Sequence, residues 1–334
     1  MNIPPSSAIP VIDLALFDQG DSFRQEAAAT IREACVKTGF FYIAGHGIDI
    51  GLQKRLEDLS AAFFAMPLAD KMSIDMAQGG PAWRGYFPVG GELTSGIPDL
   101  KEGIYFGQEL ALDHPKVKAG VPMHGANLFP SLPGFRETVL TYMQAVTELG
   151  HRLMGLLSLS LNLPESYLDQ HFTKDPLILF RIFHYPPDEH ATNKAMWGVG
   201  EHTDYGLLTI LKQDDCGGLQ VKTGSGWVDA PPIENTFVCN IGDMLERMTG
   251  GLYKSTLHRV RNLSGRERYS YPLFFDPGFD VRVAPLPGTT ILSASSHERW
   301  DQRSVFAFEG TYGDYVLEKV SKVFPALKSY VKRP

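Results

Sequence analysis

Cysteine is scarce in this sequence, and its distribution excludes two common kinds of site. The 334 residues include three cysteines, at positions 35, 216 and 239. An odd number of widely spaced cysteines fits neither a disulfide framework nor a Cys-x-x-Cys metal site. Unpaired thiols are typical of a reducing compartment, so we expect a cytoplasmic protein.

Positive charge is also limited. The formal net charge is −7, and basic residues cluster only in a short tail, at Lys328, Lys332 and Arg333. Proteins that bind nucleic acid normally present a broad basic surface, so nucleic acid is not an expected partner.

Long apolar runs are missing as well. The most apolar long stretch, residues 139–163, is interrupted by Glu148, His151 and Arg152, so we expect no membrane span. The first residues, MNIPPSSAIPVIDL, have no basic start followed by an apolar segment, and no signal peptide is expected.

Helical periodicity is strong in four places. Apolar residues recur every three to four positions over residues 21–38, 49–65, 133–162 and 312–330. The third stretch is the longest, and its apolar stripe predicts core packing rather than a cofactor site. Residues 78–134 are rich in glycine and proline, and we expect them to form loops and short strands that wrap over a site.

Short apolar runs separated by turns dominate the C-terminal half of the chain. Two strand-like segments come earlier, at residues 10–14 and 39–45. The later runs are residues 177–185, 207–213, 218–222, 226–230, 236–242, 255–260, 268–275 and 281–285. Many short strands with such turns predict a sandwich or a barrel, including the jelly-roll type.

The segment GEHTDYGLLTI, residues 200–210, places His202 and Asp204 two positions apart beside an apolar run. Residues i and i+2 of a strand share a face, so both side chains can bind one metal ion. The pair alone is weak evidence, because a surface histidine beside a turn aspartate gives the same pattern.

His258, in the segment STLHRV, is the candidate third ligand. Two histidines with one carboxylate are typical of non-haem Fe(II) oxygenases, in which they leave coordination positions open. Zinc accepts the same ligand types, so the three residues predict a metal site without fixing the metal.

Arg268 and Ser270 repeat the same spacing ten residues further on. A guanidinium binds a carboxylate through two parallel hydrogen bonds, and a serine adds a hydroxyl donor. A cation in the apolar segment RYSYPLFF needs a partner, which is either an anionic ligand or a nearby Asp or Glu.

In combination, these motifs resemble the iron- and 2-oxoglutarate-dependent dioxygenases of the isopenicillin N synthase-like family. His202-x-Asp204 is followed after 53 residues by His258 and after nine more by Arg268-x-Ser270. The resemblance extends over nearly the whole chain through the segments IPVIDL, GFFYIAGHGI, RGYFPVGGE, DLKEGIYFG, HYPP and TYGDYVLEKVSKVFP.

The resemblance implies a mainly β fold with flanking helices, namely a double-stranded β-helix or distorted jelly roll. It also implies one integrated domain with three parts. These are an N-terminal helical and loop region (1–175), a catalytic core (176–310) and a C-terminal helix (311–334).

Roles for single residues follow from the same resemblance. Catalytic Fe(II) would be bound by His202, Asp204 and His258, and the far carboxylate of 2-oxoglutarate by Arg268 and Ser270. The near carboxylate and keto oxygen of the oxoacid would chelate the metal.

Tyr185 matches a family tyrosine that helps to hold the oxoacid. The sequence departs from the family here, because Phe183 stands where the family has an asparagine. This difference removes a polar group near the cofactor.

The implied reaction uses dioxygen, converts 2-oxoglutarate to succinate and carbon dioxide, and oxidises a C–H bond of a small-molecule substrate. Hydroxylation, desaturation and ring closure all fit. Three alternatives stay open: an Fe(II) oxidase that needs no oxoacid, as in isopenicillin N synthase; a zinc hydrolase; and a non-catalytic sensor that binds an oxoacid.

Several other residues attract attention without a metal-like spacing. His46 lies in a glycine turn and His184 alternates away from Tyr185, so both are expected to be structural. By analogy, the substrate pocket is expected to be lined by Arg84, Tyr86, Tyr105 and Phe275.

Overall fold

The computed structural model describes residues 9–17, 19–187, 197–290 and 304–324. Its helices are α1 (Leu14–Phe17), α2 (Asp21–Lys37), α3 (Ile50–Phe64), α4 (Leu68–Lys71), α5 (Pro115–Lys118), α6 (Phe135–Ser160), α7 (Tyr167–His171), α8 (Asp243–Met248) and α9 (Tyr312–Val323). Its strands are β1 (Val11–Asp13), β2 (Phe40–Ala44), β3 (Gly85–Phe87), β4 (Glu102–Gly107), β5 (Leu177–Tyr185), β6 (Val199–His202), β7 (Leu208–Gln213), β8 (Leu219–Thr223), β9 (Gly226–Asp229), β10 (Phe237–Ile241), β11 (His258–Val260) and β12 (Arg268–Asp276).

These strands form two sheets. The larger sheet has the order β1-β2-β10-β7-β12-β5-β4-β3 and is antiparallel except for the β1–β2 pair. The smaller sheet has the order β6-β11-β8-β9 and is antiparallel throughout. Two mostly antiparallel sheets with flanking helices confirm the predicted fold class.

Helix α6 covers the outer face of the larger sheet. Its apolar stripe is buried, as the periodicity predicts. The ring of Tyr142 lies 5.4 Å from that of Phe180 in β5. Gly150 lies directly against the ring of Phe275 in β12. The helix thus buries one face of the two strands that carry the predicted oxoacid-binding residues.

The opposite face of these two strands lines a cavity between the sheets. Successive residues of a strand point to opposite sides, so every second residue shares the cavity. These residues are Leu179, Arg181, Phe183 and Tyr185 of β5, and Arg268, Ser270, Pro272, Phe274 and Asp276 of β12. The smaller sheet contributes Val199, His202, Leu219, His258 and Val260.

Most predicted elements are confirmed with shifts of one or two residues at their ends. The three helices predicted over residues 21–38, 49–65 and 133–162 correspond to α2, α3 and α6. The helix predicted over residues 312–330 corresponds to α9, and its predicted residues 325–330 lie outside the described part of the chain.

The strand predicted over residues 281–285 is wrong. This segment makes only an isolated bridge, between Arg282 and Thr311, among the described residues. Pro285 and Pro287 have no backbone N–H to donate, which limits the pairing that a ladder needs. Several elements of four to six residues, among them β6, α7 and α8, were not predicted, because such short segments do not show a clear period.

Candidate active site

Strand pairing in the smaller sheet brings the three predicted metal ligands together. His202 ends β6 and lies directly opposite His258, the first residue of β11. Asp204 follows two residues after β6. Its Oδ1 atom lies 3.8 Å from Nε2 of His202 and 3.6 Å from Nε2 of His258. Three side chains from separate points of the sequence therefore face one small volume.

Backbone carbonyls fix the orientation of both imidazoles. Nδ1 of His202 lies 2.8 Å from the carbonyl oxygen of Gly200, and Nδ1 of His258 lies 3.1 Å from that of Thr256. A carbonyl oxygen only accepts, so each Nδ1 carries the proton. The neutral form of each imidazole then has its lone pair on Nε2, on the side of Asp204, which is the tautomer that a metal ligand requires.

Two side-chain hydrogen bonds orient the carboxylate of Asp204. Its Oδ2 atom accepts hydrogen bonds from Nδ2 of Asn240, at 2.7 Å, and from the hydroxyl of Thr209. Its Oδ1 atom is the one that faces the imidazoles. Burial alone would raise the pKa of Asp204, but His258, His202 and the two hydrogen bonds together hold this pKa below its ordinary value.

The protonation state of His202 also favours the binding of a cation. Burial and the neighbouring His258 lower the pKa of His202 to about 4, so this imidazole is neutral at pH 7. The ligand atoms of the three residues all lie within 4.8 Å of one another. Two imidazoles and a carboxylate in this arrangement fit Fe(II) with open coordination positions, and they also fit zinc.

Arg268 lies in the same cavity and is completely buried, with 0% of its surface exposed. Its Nε atom donates to the carbonyl oxygen of Gly217 at 2.5 Å, and its guanidinium lies 4.5 Å from the ring centre of Tyr185. Both terminal nitrogens lack a hydrogen-bond partner among the described residues. No described Asp or Glu forms an ion pair with it, so the alternative of a structural ion pair is not supported.

Ser270 and Tyr185 lie beside this guanidinium. Arg268 is the strand partner of Tyr185, and Ser270 is the strand partner of Phe183. The hydroxyl groups of Ser270 and Tyr185 are 3.2 Å apart. Two hydroxyls and an unpaired guanidinium at one end of the cavity fit the carboxylate of a small acid, because every group there can donate a hydrogen bond.

Three further charged residues, Glu92, Lys101 and Arg181, line the same cavity. The guanidinium of Arg181 lies 4.0 Å from the ring centre of Tyr105, and its Nη1 atom lies 3.5 Å from Oε1 of Glu92. Nζ of Lys101 lies 2.8 Å from Oε2 of Glu92 and also contacts Asp99. These charged residues were not among the predicted site residues.

The expected pocket wall is only partly correct. Tyr105 lines the cavity, as expected. Arg84 instead donates to the carbonyl oxygen of Met123, and the hydroxyl of Tyr86 donates to Glu102. Phe275 points toward α6, and it is the residue before it, Phe274, that lines the cavity. The strand alternation explains this last error, because adjacent residues occupy opposite faces.

The two histidines expected to be structural lie outside the cavity. Nδ1 of His46 accepts from the backbone N–H of Ile48 at 3.0 Å. The ring of His184 lies between the carboxylates of Glu102 and Glu267.

Asn240, Thr209 and Arg181 are site residues that were not predicted from the sequence. Arg181 could have been found, since it lies four positions before Tyr185 in a strand and therefore shares its face. Asn240 and Thr209 belong to β10 and β7, and only the pairing of these strands brings them to Asp204.

Comparison with known proteins identifies the family. Residues 9–132 match the model described as non-haem dioxygenase in morphine synthesis N-terminal, and residues 176–277 match that of the 2OG-Fe(II) oxygenase superfamily. A probable iron/ascorbate oxidoreductase of Dictyostelium discoideum is 51% identical, with 97% of this chain and 96% of the relative covered. A 2-oxoglutarate-Fe(II) type oxidoreductase of Emericella nidulans is 39% identical, with 84% and 83% covered.

A solved structure gives the same answer. A full-length Neurospora crassa protein, solved in complex with alpha-KG and thymine, superimposes with a TM-score of 0.79 at 31% identity, covering 94% of this chain and 96% of that chain. The chain therefore belongs to the 2OG-Fe(II) oxygenase superfamily, whose members have a jelly-roll fold. It is an Fe(II)- and 2-oxoglutarate-dependent dioxygenase, and its cosubstrates are 2-oxoglutarate and dioxygen.

Proposed function

We propose that His202, Asp204 and His258 bind the Fe(II) of this dioxygenase and so form its catalytic centre. The observation that carries the proposal is the shared direction of their ligand atoms. Both Nε2 lone pairs and Oδ1 of Asp204 face one point, while the other polar atoms are held by hydrogen bonds. The group favours a divalent cation, since it offers one carboxylate oxygen and two imidazole nitrogens as ligand atoms.

Arg268, Ser270 and Tyr185 hold the far carboxylate of 2-oxoglutarate. A buried guanidinium with two unpaired nitrogens is costly to fold, and a carboxylate removes that cost by forming two parallel hydrogen bonds. The hydroxyls of Ser270 and Tyr185 add two donors beside it. Phe183 supplies an apolar wall where the family has an asparagine.

Bound Fe(II) and 2-oxoglutarate supply the chemistry, in which dioxygen oxidises a C–H bond while succinate and carbon dioxide are released. The chain itself positions the reactants. Asn240 and Thr209 orient the Asp204 carboxylate, and the backbone at Gly200 and Thr256 orients the imidazoles. Apolar residues around the cavity exclude water from the site.

The substrate is a small molecule, and the product is hydroxylated, desaturated or cyclised. The size of the cavity, about 100 Å³, supports this assignment. The related Neurospora structure contains thymine, which is also a small molecule.

The assignments of subfamily and of chain regions rest on the resemblance to the isopenicillin N synthase-like family. We infer an isopenicillin N synthase-like enzyme in which residues 1–175 pack on a catalytic core of residues 176–310, followed by a C-terminal part of residues 311–334.

No described helix combines the length and the apolarity needed to cross a bilayer. Three cysteines without disulfides support a cytoplasmic location.

Anaerobic titration tests these roles. Wild-type protein with Fe(II) and 2-oxoglutarate should develop the weak visible charge-transfer band of a metal-bound oxoacid. His202→Ala should abolish the band. Arg268→Ala should retain Fe(II) binding but weaken oxoacid binding by about 2–3 kcal/mol, because a buried charged hydrogen bond is lost.

The exposed Arg136→Ala is a matched control, and it should behave as wild type. A band of normal intensity in His202→Ala would refute the ligand assignment. Normal oxoacid affinity in Arg268→Ala would refute the proposed role of the guanidinium.

A further inference from the structure

The cavity contains two arginines, Arg268 at one end of the β5–β12 pair and Arg181 midway along β5. Arg268 is the strand partner of Tyr185, and Arg181 lies four residues before Tyr185 on the same face of β5. Four residues of extended chain span about 13 Å, so the two guanidinium groups serve separate parts of the cavity. Under the proposed function, Arg268 is occupied by the oxoacid, and Arg181 is left for the substrate.

Arg181 is packed between aromatic rings but is not fully paired by hydrogen bonds. Its guanidinium lies between the rings of Tyr105 and Phe274, at 4.0 and 4.7 Å from the ring centres. The nearest carboxylate oxygen, Oε1 of Glu92, is 3.5 Å from Nη1, which is long for a charge-assisted hydrogen bond. Its Nε atom has no hydrogen-bond partner among the described residues. The side chain therefore has donors available for an oxygen atom of a ligand.

Charge around Arg181 is already balanced. Glu92 accepts from the hydroxyl of Tyr105, and its other oxygen lies 2.8 Å from Nζ of Lys101. Lys101 also pairs with Asp99, whose second neighbour is Thr94. Among these four residues, two buried cations thus face two buried carboxylates.

The metal end of the cavity is balanced as well. Fe(II) with one carboxylate ligand, a dianionic oxoacid and the Arg268 guanidinium has no net charge. Asp276 also lines the cavity and can only add negative charge. A substrate carboxylate would therefore enter as an uncompensated buried anion, which is costly in a low-dielectric site.

We propose that the substrate is a neutral molecule that presents a carbonyl oxygen, as in an amide or a lactam, to the guanidinium of Arg181. This inference rests on the proposed function and deepens it, because it names the substrate class. A neutral carbonyl accepts the free donors of Arg181 without disturbing the pairs formed by Glu92 and Lys101.

The remaining wall suits the apolar body of such a molecule. Phe274 and the helix α9 residues Val316, Val320 and Val323 line the cavity, followed by Phe324. A molecule anchored at Arg181 is thereby held between these apolar side chains and the metal ligands.

The experiment uses matched pairs of probes on the anaerobic enzyme with Fe(II) and 2-oxoglutarate. The pairs are benzamide with benzoate and nicotinamide with nicotinate, extended to other amide and carboxylate pairs of similar size. Binding is read from the change in the charge-transfer band and from the midpoint of thermal unfolding. In the wild type, we expect each amide to bind at least about tenfold more tightly than its carboxylate, since the carboxylate remains uncompensated.

Two variants separate the hydrogen bond from the charge. Arg181→Met should weaken amide binding about ten- to hundredfold, as expected when a charged donor is lost. Glu92→Gln removes one negative charge, so it should improve carboxylate binding about tenfold relative to wild type. The exposed Arg136→Met is the matched control and should leave all affinities unchanged.

Different outcomes overturn the inference about the substrate and the proposed function. Tighter binding of the carboxylates in the wild type, no binding by any amide of the panel, or unchanged amide affinity in Arg181→Met overturns the inference. If Arg181→Met does not fold, Glu92→Gln decides, and unchanged carboxylate affinity there counts against the inference. Absence of the band in the wild type, before any probe is added, overturns the proposed function itself.

Discussion

At the scale of single residues, hydrogen bonds to the metal ligands fix which of their atoms face the metal site. The Asp204 carboxylate has two hydrogen bonds on Oδ2, from Asn240 and Thr209, and this leaves Oδ1 toward the histidines. Such outer contacts usually contribute strongly to metal affinity, because they fix the ligand before the metal binds.

Asn240→Ala should weaken Fe(II) binding about 10–100-fold, since the carboxylate loses one of its two donors. Anaerobic metal titration measures the effect. Asn127→Ala is the control, because Asn127 is also a buried asparagine but pairs with Gly107 and Glu109 outside the cavity. Equal metal affinity in the wild type and Asn240→Ala would mean that Thr209 alone orients Asp204.

A second residue gives a prediction for pH dependence. Burial raises the pKa of Asp276 to about 7, despite hydrogen bonds from Tyr312 and from the backbone of Leu207. The folded protein therefore keeps a proton that the unfolded chain releases near pH 4. Linkage then requires the contribution of Asp276 to stability to fall as pH rises from about 4 to about 7.

Asp276→Asn should remove this contribution, because the amide does not ionise. The free energy of unfolding of the variant, minus that of the wild type, should increase between pH 4 and 7 by up to about 4 kcal/mol. Urea unfolding across this pH range measures it. The exposed Asp175→Asn serves as control. A pH-independent difference for Asp276→Asn would contradict the prediction.

At the scale of elements, the packing of α6 on β12 supports the strand that carries Arg268 and Ser270. Gly150 and Gly155 lie in the same helix but in different surroundings. A Cβ atom at Gly150 would lie 2.3 Å from the ring of Phe275, whereas at Gly155 the nearest atom would be Cγ of Glu165, at 3.1 Å. Glu165 is half-exposed and can move, while Phe275 is fully buried.

The two glycines form a matched pair for mutation. Gly150→Ala should lower the free energy of unfolding by about 1–3 kcal/mol through overpacking. Gly155→Ala should be neutral or stabilise by up to about 1 kcal/mol, because alanine favours a helix. Chemical unfolding of both variants provides the measurement. Equal effects at the two positions would show that the contact with Phe275 is not a constraint.

At the scale of the whole molecule, both sheets contribute to the site, so binding there should stabilise the entire fold. The smaller sheet carries His202 and His258, and the larger sheet carries Arg268. Saturating either ligand to about 100 times its dissociation constant should add about 2.7 kcal/mol to the free energy of unfolding.

Anaerobic thermal unfolding with Fe(II), and then with added 2-oxoglutarate, should therefore show two successive increases in the midpoint temperature. Arg268→Met should keep the first increase and lose most of the second. Asp204→Asn should lose most of both, because the oxoacid depends on the metal. Two full increases in Arg268→Met would contradict the assignment of the oxoacid site.

The local features of this protein could be predicted from its sequence. Periodicity identified α2, α3 and α6, and the spacing of Arg268 with Ser270 correctly predicted that they share a face of β12. Asp204 instead lies two residues beyond the end of β6, so it approaches His202 without sharing a strand face with it. These features depend on backbone geometry within a few residues, which each segment carries by itself. The error at Phe275 shows the limit, since a shift of one position moves a side chain to the other face.

Convergence of distant segments was decided only by the tertiary structure. The pairing of β6 with β11 brings His258 to His202, and that of β10 with β7 brings Asn240 and Thr209 to Asp204. The resemblance to a family predicted that His258 lies near His202. No local pattern indicated that Asn240 and Thr209 contact Asp204. The charge balance around Arg181 likewise depends on Glu92 and Lys101, which lie in the segment before β4 and are distant from Arg181 in the sequence. Such contacts arise from long-range strand pairing, whose register no single segment specifies.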